Sequence, residues 1–467
     1  MGGMFGLVSK EDCIADLFYG TDYHSHLGTK RGGMGVCNSH GIQRSIHNLE
    51  NNYFRTKFES ELSSFEGQKG IGVISDTDPQ PLIIGSHMGN FGIVMVGKIN
   101  NLEELVKKAF SDRHYFSDTT NGVMNPTEVV AKLICDEENF VDGIRNVQDS
   151  IKGSCSLLLL TDEGIYAGRD KLGRTPLVLG RRDNAIAVSS ESCAFSNLGF
   201  ITDHFIGPGE VVFITAEGWE QRLPPGDKMQ VCSFLWVYFG YPASDYEGIN
   251  VEEVRNNCGA CLAKNDDVAC DCVGGIPDSG VGHAIGYADA KKIPYRRPFV
   301  KYTPTWPRSF MPQDQSLRDL VAKMKLIPVP RLIEGKRLLF CDDSIVRGTQ
   351  LKENVKILFD YGALEVHMRP SCPTLIFPCE FLNFSASRST LDLIGRSVIQ
   401  ELEGVEDKCL DEYATAGSEK NLAMVEIIRQ RLHLTSLRYQ RLDDLVEAIG
   451  LPKEKLCTHC FDGSSYD

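Results

Sequence analysis

The sequence predicts an α/β protein of two consecutive domains, the second of which is built on a parallel sheet. The chain has 467 residues, more than a single hydrophobic core usually supports. Short β-rich runs alternate with helix-like stretches along its length, which favours sheets covered by helices. The run at 338–350, LLFCDDSIVRGTQ, passes from apolar residues through a polar loop into a helix-like segment, as a strand, loop and helix do in a parallel sheet.

Composition and charge exclude several classes of protein. A hydrophobic content of 42% and a charged content of 24% are typical of a globular protein in water. The formal net charge of −14 argues against nucleic acid or an anionic membrane surface as the main partner. No window is long and apolar enough to span a bilayer, and the start, MGGMFGLVSKEDC, lacks the features of a signal peptide. We therefore expect a cytoplasmic protein.

The first predicted domain covers residues 1–230. Its β-rich runs, such as FGIVMVG, SLLLLTD and EVVFIT, are interleaved with helical stretches such as NLEELVKKAF and PTEVVAKLICDEE. The segment LPPGDK interrupts the strand pattern shortly before residue 230, as a domain boundary does. The second predicted domain covers residues 231–467.

The acidic pair at 342–343 begins a loop suited to a sugar phosphate. Asp342 and Asp343 can accept hydrogen bonds from ribose hydroxyls or hold a divalent cation. The peptide N–H groups that follow point outward at a helix N-terminus, where a phosphate fits. These N–H groups belong to Ser344, Ile345, Val346, Arg347, Gly348 and Thr349.

The segment DDSIVRGT resembles the type I phosphoribosyltransferase motif, and its wording is that of the amidophosphoribosyltransferase family, which opens purine biosynthesis. GMFGLVSKED, YGTDYHSHLG, SSESCAF and PDSG also resemble that family, so the resemblance spans about residues 3–462. It implies a class II glutamine amidotransferase domain, an N-terminal-nucleophile-hydrolase-like αββα sandwich, followed by a type I phosphoribosyltransferase parallel-sheet domain. It also implies a glycosyltransferase that acts on phosphoribosyl pyrophosphate (PRPP), works in the cytoplasm and forms homo-oligomers.

The resemblance assigns roles to residues of the second domain. Asp278, Ser279 and Gly280, in the PDSG turn, are implied to hold the pyrophosphate of PRPP through their backbone amides. Ser279 is implied to share a Mg²⁺ site with the catalytic pair Asp342 and Asp343. Arg308 lies in a segment similar to the family's flexible loop, and we expect it to contact the pyrophosphate during catalysis.

The resemblance fails at the glutaminase site. Gly2 occupies the position of the cysteine nucleophile, whose free α-amino group serves as the base in the family. Ser75 replaces the arginine that grips the glutamine carboxylate, and Pro126 replaces an expected carboxylate. Val96 and Gly97 stand where an Asn-Gly pair would form the oxyanion hole. We expect this domain not to hydrolyse glutamine.

Four of the 16 cysteines match, position for position, the [4Fe–4S] ligands of one branch of the family: Cys232, Cys379, Cys457 and Cys460. A four-cysteine zinc site and four unliganded thiols are the alternatives. The scattered spacing of the cysteines argues against a disulfide framework.

Two functional hypotheses follow. In the first, the protein forms 5-phosphoribosylamine from PRPP with ammonia, which arrives free or from a partner glutaminase. In the second, it is a non-catalytic paralogue that binds PRPP or nucleotides and regulates, or assembles with, an intact amidotransferase. The sequence does not decide between these two hypotheses, because the phosphate-binding motifs are compatible with both.

Overall fold

The structure is a computed structural model that describes residues 2–117, 119–120, 122–264, 266–302, 326–382 and 389–465. Arg308, the expected pyrophosphate contact, lies outside these described residues. No helix within the described ranges is long and apolar enough to cross a bilayer.

The first half of the chain forms two antiparallel sheets. Its strands, in chain order, are β1 (Gly2–Ser9), β2 (Arg31–Asn38), β3 (Gly41–Asn48), β4 (Lys69–Ser75), β5 (Leu82–Ser86), β6 (Gly89–Ile99), β7 (Thr119–Thr120), β8 (Val123–Met124), β9 (Gly153–Leu160), β10 (Ile165–Gly168), β11 (Val178–Arg182), β12 (Ala185–Ser189), β13 (Ile201–Phe205), β14 (Val211–Ile214) and β15 (Trp219–Leu223). One sheet has the order β13-β11-β12-β1-β4-β2-β3 and the other β15-β14-β10-β9-β6-β5. The short strands β7 and β8 pair with each other.

Helices cover the outer face of each sheet. The helices of this half are α1 (Ile14–Asp22), α2 (Phe54–Phe58), α3 (Leu102–Ser111), α4 (Pro126–Cys135), α5 (Phe140–Ser150) and α6 (Cys193–Leu198). Side chains such as Met4, Val73, Val94 and Leu158 form a core between the two sheets. The helices α1, α2 and α6 pack on the seven-stranded sheet, and α3, α4 and α5 pack on the six-stranded one. Both faces of the central strands are therefore buried, which explains apolar runs such as that of β9, whereas the edge strands β3, β13 and β15 are largely exposed. The expected αββα sandwich is confirmed.

The second half contains a parallel sheet. The strands of this half, in chain order, are β16 (Val231–Cys232), β17 (Asp245–Tyr246), β18 (Ile249–Asn250), β19 (Cys272–Gly275), β20 (Phe299–Lys301), β21 (Leu326–Pro328), β22 (Arg337–Asp342), β23 (Glu365–Pro370), β24 (Ser436–Leu437) and β25 (Leu456–Cys457). The parallel sheet has the order β19-β22-β23-β24, as the alternation of strands and helices predicted.

Helices flank this sheet on both sides. They are α7 (Val251–Lys264), α8 (Gly280–Lys291), α9 (Thr349–Asp360), α10 (Ile394–Glu403), α11 (Leu410–Ala414), α12 (Glu419–Arg431), α13 (Leu442–Ile449) and α14 (His459–Asp462). The helices α7 and α8 pack on one face, and α9, α10 and α12 on the other. The last strand of the six-stranded sheet ends at Leu223, and β16 begins at Val231 and pairs with β25 near the end of the chain. The boundary at 230 stays a prediction.

The two predicted phosphate loops lie side by side. They follow β19 and β22, neighbouring parallel strands in which Gly275 is opposite Cys341. A Cβ added at Gly280, the first residue of α8, would lie 2.4 Å from the Cys341 carbonyl oxygen. Glycine therefore lets α8 begin directly against β22. Ligands of open α/β sheets bind at this carboxyl edge.

Candidate functional site

Hydrogen bonds join the paired aspartates to the neighbouring loop. The Ser279 hydroxyl donates to Asp343 Oδ1 at 2.6 Å, and the Ser344 hydroxyl donates to Asp343 Oδ2 at 2.6 Å. The backbone N–H of Asp343 donates to Asp342 Oδ1 at 2.9 Å. The fold thus brings together the three residues for which the family resemblance implied a shared cation.

Burial and the neighbouring Asp343 carboxyl raise the pKa of Asp342 well above its usual value. A divalent cation would relieve the repulsion between the two carboxylates. Among the described residues, no three His, Cys, Asp or Glu side chains gather closely enough to hold a metal ion. Mg²⁺, however, commonly binds one or two protein carboxylates and completes its shell with water and substrate phosphates, so Asp342, Asp343 and Ser279 fit that ion.

The loop after the acidic pair presents open backbone donors. Within the described part of the chain, the N–H groups of residues 344–348 donate no hydrogen bond to another backbone group. The buried side chain of Ile345 anchors the loop in the core, and Val346 accepts a hydrogen bond of 2.7 Å from the N–H of Ile394. Gly348 has φ +76° and precedes α9, which begins at Thr349. These N–H groups at a helix N-terminus can receive a phosphate.

Arg347 turns away from the acidic pair in this conformation. Its guanidinium donates to Asp392 Oδ2 at 2.9 Å. The contact ties the phosphate loop to the segment before α10 rather than to a substrate position. Of the predicted loop residues, Arg347 therefore offers its backbone N–H and not its side chain.

The turn before α8 presents a smaller set of donors. The Gly280 N–H donates to the Ile276 carbonyl at 2.9 Å, so it is engaged within the turn. A role for this N–H in holding pyrophosphate stays a prediction, and Gly280 also allows the close approach of α8 to Cys341. The N–H groups of Asp278 and Ser279 make no such backbone bond within the described ranges. Lys301 forms an ion pair with the Asp278 carboxylate beside them.

Gly2, which stands at the position of the family's nucleophile, is closely packed. Gly2 begins β1 opposite Ser75 of β4. A Cβ added at Gly2 would lie 2.5 Å from the Ile74 carbonyl oxygen and 3.2 Å from the side chain of Val96, which is itself buried. A cysteine does not fit here without movement of the backbone.

The other positions implied for that site also differ from the family's residues. The Ser75 hydroxyl shares a hydrogen bond of 2.9 Å with the Thr77 hydroxyl. Gly97 lies in the β6–β9 pairing and has φ +145°, a backbone conformation that favours glycine. The residue before it is Val96, so the amide side chain of the family's Asn-Gly pair is missing. Pro126 is the first residue of α4, which Asn125 caps. Neither Ser75 nor Pro126 carries a positive charge that could pair with a glutamine carboxylate.

The four predicted cluster cysteines converge. Cys232 and Cys457 are opposite each other in the parallel pair β16–β25. The Cys460 thiol hydrogen-bonds to Cys379 and lowers the pKa of Cys379 to about 7. Burial raises the pKa of Cys232 well above its usual value, and it raises the pKa of Cys457 to about 11.

Polar groups around these cysteines suit an iron–sulfur cluster. The N–H of Leu382 donates to Cys379 Sγ at 3.3 Å, as N–H groups do to cluster sulfurs. Both ring nitrogens of His459, which lies between two of the cysteines in sequence, are buried without a hydrogen-bond partner in the described structure. The thiols do not form a single-ion site among the described residues. Four cysteine thiols of this kind can hold either a [4Fe–4S] cluster or a zinc ion.

Sequence patterns did not indicate a buried carboxylate that joins the first half to the segment between β15 and α7, which we call the linker. Glu191 accepts hydrogen bonds from Ser244 Oγ at 3.1 Å and from the Tyr246 hydroxyl, and it pairs with His26 at 3.0 Å. Although burial opposes ionisation, the His26 ring and the Tyr246 hydroxyl lower the pKa of Glu191 to about 2. SSESCAF carried a resemblance, but no local pattern indicated these partners.

Comparison with known proteins gives relatives along the whole chain. The chain is 31% identical to the amidophosphoribosyltransferase of Methanocaldococcus jannaschii, with 99% of this chain and 97% of that relative covered. The chain belongs to the amidophosphoribosyltransferase family. The family member of Bacillus subtilis is 29% identical over 99% of this chain and 93% of its own.

Solved structures of the family share the architecture. The B. subtilis glutamine PRPP amidotransferase complexed with ADP and GMP matches with a TM-score of 0.85 and 29% identity, covering 99% of this chain and 97% of that one. A structure described as the allosteric regulatory enzyme of purine biosynthesis matches with a TM-score of 0.83 and 28% identity, covering 99% of this chain and 96% of that one. The glutamine amidotransferase domain family matches residues 69–197. The two-domain fold class is therefore confirmed.

Proposed function

We propose that this amidophosphoribosyltransferase family member forms 5-phosphoribosylamine from PRPP with ammonia, and not glutamine, as the nitrogen donor. One contrast carries the proposal. Ser279 and the aspartate pair meet in an intact arrangement at the carboxyl edge of the parallel sheet, whereas Gly2 leaves no room for a nucleophilic side chain.

The loops of the transferase half would bind the ribose, the 5′-phosphate and the pyrophosphate of PRPP at three different places, which fixes the orientation of the molecule. Asp342 and Asp343 would accept hydrogen bonds from the ribose hydroxyls, and the open N–H groups of 344–348 would bind the 5′-phosphate. The N–H groups of Asp278 and Ser279 would face the pyrophosphate. Arg308, outside the described residues, remains the proposed contact from the loop.

Ammonia then attacks C1 of the ribose as the bond from C1 to the pyrophosphate oxygen breaks. This displacement requires no nucleophile from the protein. Its rate comes from positioning PRPP and from donors aimed at the charge that grows on the leaving pyrophosphate. Mg²⁺, when held by Asp342, Asp343 and Ser279, would supply further neutralisation of that charge.

The glutaminase half lacks the groups that release ammonia from glutamine. Loss of one oxyanion-hole donor costs about 2.7–4 kcal/mol of transition-state stabilisation. Here Val96 replaces the side-chain donor and Gly2 removes the covalent route as well. Ammonia would therefore arrive free or from a partner glutaminase.

The four converging cysteines would hold a [4Fe–4S] cluster with a structural role. Cys232 belongs to the linker strand β16, whereas Cys457 and Cys460 belong to the end of the chain. Cys379 belongs to the segment between β23 and α10. A cluster bound to all four would fasten these three segments together.

The test is a comparison of nitrogen donors with the purified protein. It is incubated with PRPP and Mg²⁺ in the presence of ammonium, of glutamine, or of neither, and pyrophosphate and glutamate are measured. We expect the protein to release pyrophosphate when ammonium is present, and to release no glutamate when glutamine is present. Glutamine-dependent release of both products would overturn the proposal, and PRPP binding without any pyrophosphate would favour the non-catalytic paralogue.

A further inference from the structure

Two side chains from the end of β6 contact the segment that carries Cys379. We call residues 379–381 the cysteine strap. Lys98 Nζ donates to the Cys379 carbonyl at 3.0 Å, and Asn100 Nδ2 donates to the Glu380 carbonyl at 2.6 Å. The glutaminase-like domain therefore contacts the backbone of a predicted cluster ligand, although about 280 residues separate the partners in sequence.

A third side chain, Arg174, reaches the same place from the loop between β10 and β11. It is 1% exposed. Its guanidinium lies 3.5 Å from the centroid of the Phe381 ring, in the cysteine strap, and donates to Gln230 Oε1 at 2.7 Å. Its guanidinium also hydrogen-bonds to the Cys457 thiol. Arg174 thus joins the strap, the linker and a second cluster cysteine.

We propose that the glutaminase-like domain completes the cluster site: Lys98 and Arg174 supply positive charge beside the cluster, and Asn100 holds the cysteine strap in position. The inference rests on the cluster assigned to the four cysteines above. On this inference, the first domain supports the cluster, a function that does not involve glutamine.

The charge balance supports these roles. Four thiolates around a [4Fe–4S] core leave a net negative charge, and a buried charge is costly unless it is paired or hydrogen-bonded. Arg174 is buried, and Lys98 is partly buried, so both cations are screened less than surface charges. Cations and hydrogen bonds near a cluster stabilise its more reduced state.

The experiment replaces each cation in the full-length protein prepared without oxygen. Lys98→Met and Arg174→Met remove one positive charge each at similar length. Lys171→Met is the matched control, because Lys171 lies on the same loop as Arg174 but pairs with Asp149 at the surface. Iron and sulfide content, the cluster's midpoint potential and the half-life of its visible absorbance in air are measured.

We expect Lys98→Met and Arg174→Met to shift the midpoint potential to lower values and to shorten the half-life about tenfold, as loss of groups supporting a metal site commonly does. Lys171→Met should leave both unchanged. Wild-type potential and half-life in both cluster-loaded variants would overturn the inference. If circular dichroism shows that Arg174→Met is unfolded, the comparison of Lys98→Met with Lys171→Met tests the inference by itself.

A wild-type protein without iron and sulfide would overturn the cluster and this inference together. That result is distinguishable from failure of the transferase proposal, because pyrophosphate release with ammonium is measured separately. Loss of pyrophosphate release in a wild-type protein that retains its cluster would count against the transferase alone.

Discussion

Ser279 and Asp343 share a hydrogen bond of 2.6 Å although 64 residues separate them in the chain. The bond joins the turn before α8 to the loop after β22, so the proposed pyrophosphate and ribose positions belong to one rigid edge of the sheet. A bound PRPP molecule would have to contact both loops at once. The consequences of this arrangement can be tested residue by residue.

Replacing Ser279 by alanine should weaken the transferase reaction. The variant loses a hydroxyl that hydrogen-bonds to a carboxylate, an interaction worth about 1.5–3 kcal/mol. We expect kcat/KM for PRPP, with ammonium as donor, to fall roughly 10- to 100-fold. Ser397→Ala is the control, because the Ser397 hydroxyl contacts Arg431 elsewhere in the domain. Equal activity of the two variants would contradict the assigned role.

Replacing Asp342 by asparagine should stabilise the unliganded protein and inactivate it. Burial and Asp343 raise the pKa of Asp342, so the folded state binds this proton more tightly than the unfolded chain does. The wild-type protein therefore loses stability as the pH rises from about 4, the ordinary aspartate value, toward the raised pKa. Asparagine does not ionise, so the Asp342→Asn variant does not lose this stability as the pH rises.

The measurement for Asp342→Asn is thermal unfolding without ligands across this pH range. The gain in melting temperature over wild type should be smallest near pH 4, about the unfolded pKa, and should grow as the pH rises. Pyrophosphate release should fall by a factor of at least about 100, since several kcal/mol of charge stabilisation is lost. A gain that shrinks with rising pH would refute the explanation.

Replacing Gly348 by alanine should disturb the phosphate loop. A non-glycine residue at φ +76° costs about 1–2 kcal/mol, and its Cβ would lie 2.8 Å from the Ile394 side chain. Gly404→Ala is a matched control, because Gly404 has φ +79° with nothing within 4 Å. We expect Gly348→Ala to lose about 1–3 kcal/mol more unfolding free energy than the control, and to bind PRPP more weakly. Chemical denaturation and PRPP titration measure both effects.

Replacing Gly2 by cysteine should not restore a glutaminase. The new Cβ would lie 2.5 Å from the Ile74 carbonyl, and Ser75, Val96 and Pro126 would remain. We expect no glutamate release and a loss of about 1–3 kcal/mol of unfolding free energy. Gly218→Cys, where nothing lies within 4 Å of the added Cβ, should leave stability nearly unchanged. Glutamate release at the level of active relatives would contradict the proposed loss of glutaminase activity.

The sequence predicted the parts of the fold that depend on local pattern. The strand, loop and helix at 338–350 follow from apolar residues, adjacent acids and a glycine before the helix, and the structure has them as β22, the loop and α9. The two-domain α/β class and the αββα sandwich are likewise confirmed. The approach of the four cysteines required the family resemblance, since their spacing along the chain gives no pairing by itself.

Contacts between distant segments could not be predicted. Lys98 lies in β6 and Asn100 directly follows it, and the local sequence there indicates only a strand and a turn. Their partners in the cysteine strap are about 280 residues away. The PDSG turn predicts that Gly280 offers its N–H to pyrophosphate, and that role stays a prediction. The close approach of Cys341 on the neighbouring strand also requires a glycine there, and only the folded sheet brings Cys341 close.

The most direct test of the account is an isotope competition at the nitrogen donor. The wild-type protein receives PRPP, Mg²⁺, ¹⁵N-ammonium and unlabelled glutamine together, and the nitrogen of the phosphoribosylamine formed is analysed by mass spectrometry. We predict that the product carries ¹⁵N. A product that carries the glutamine nitrogen would contradict the loss of glutaminase chemistry, and the absence of any product would contradict the intact transferase site.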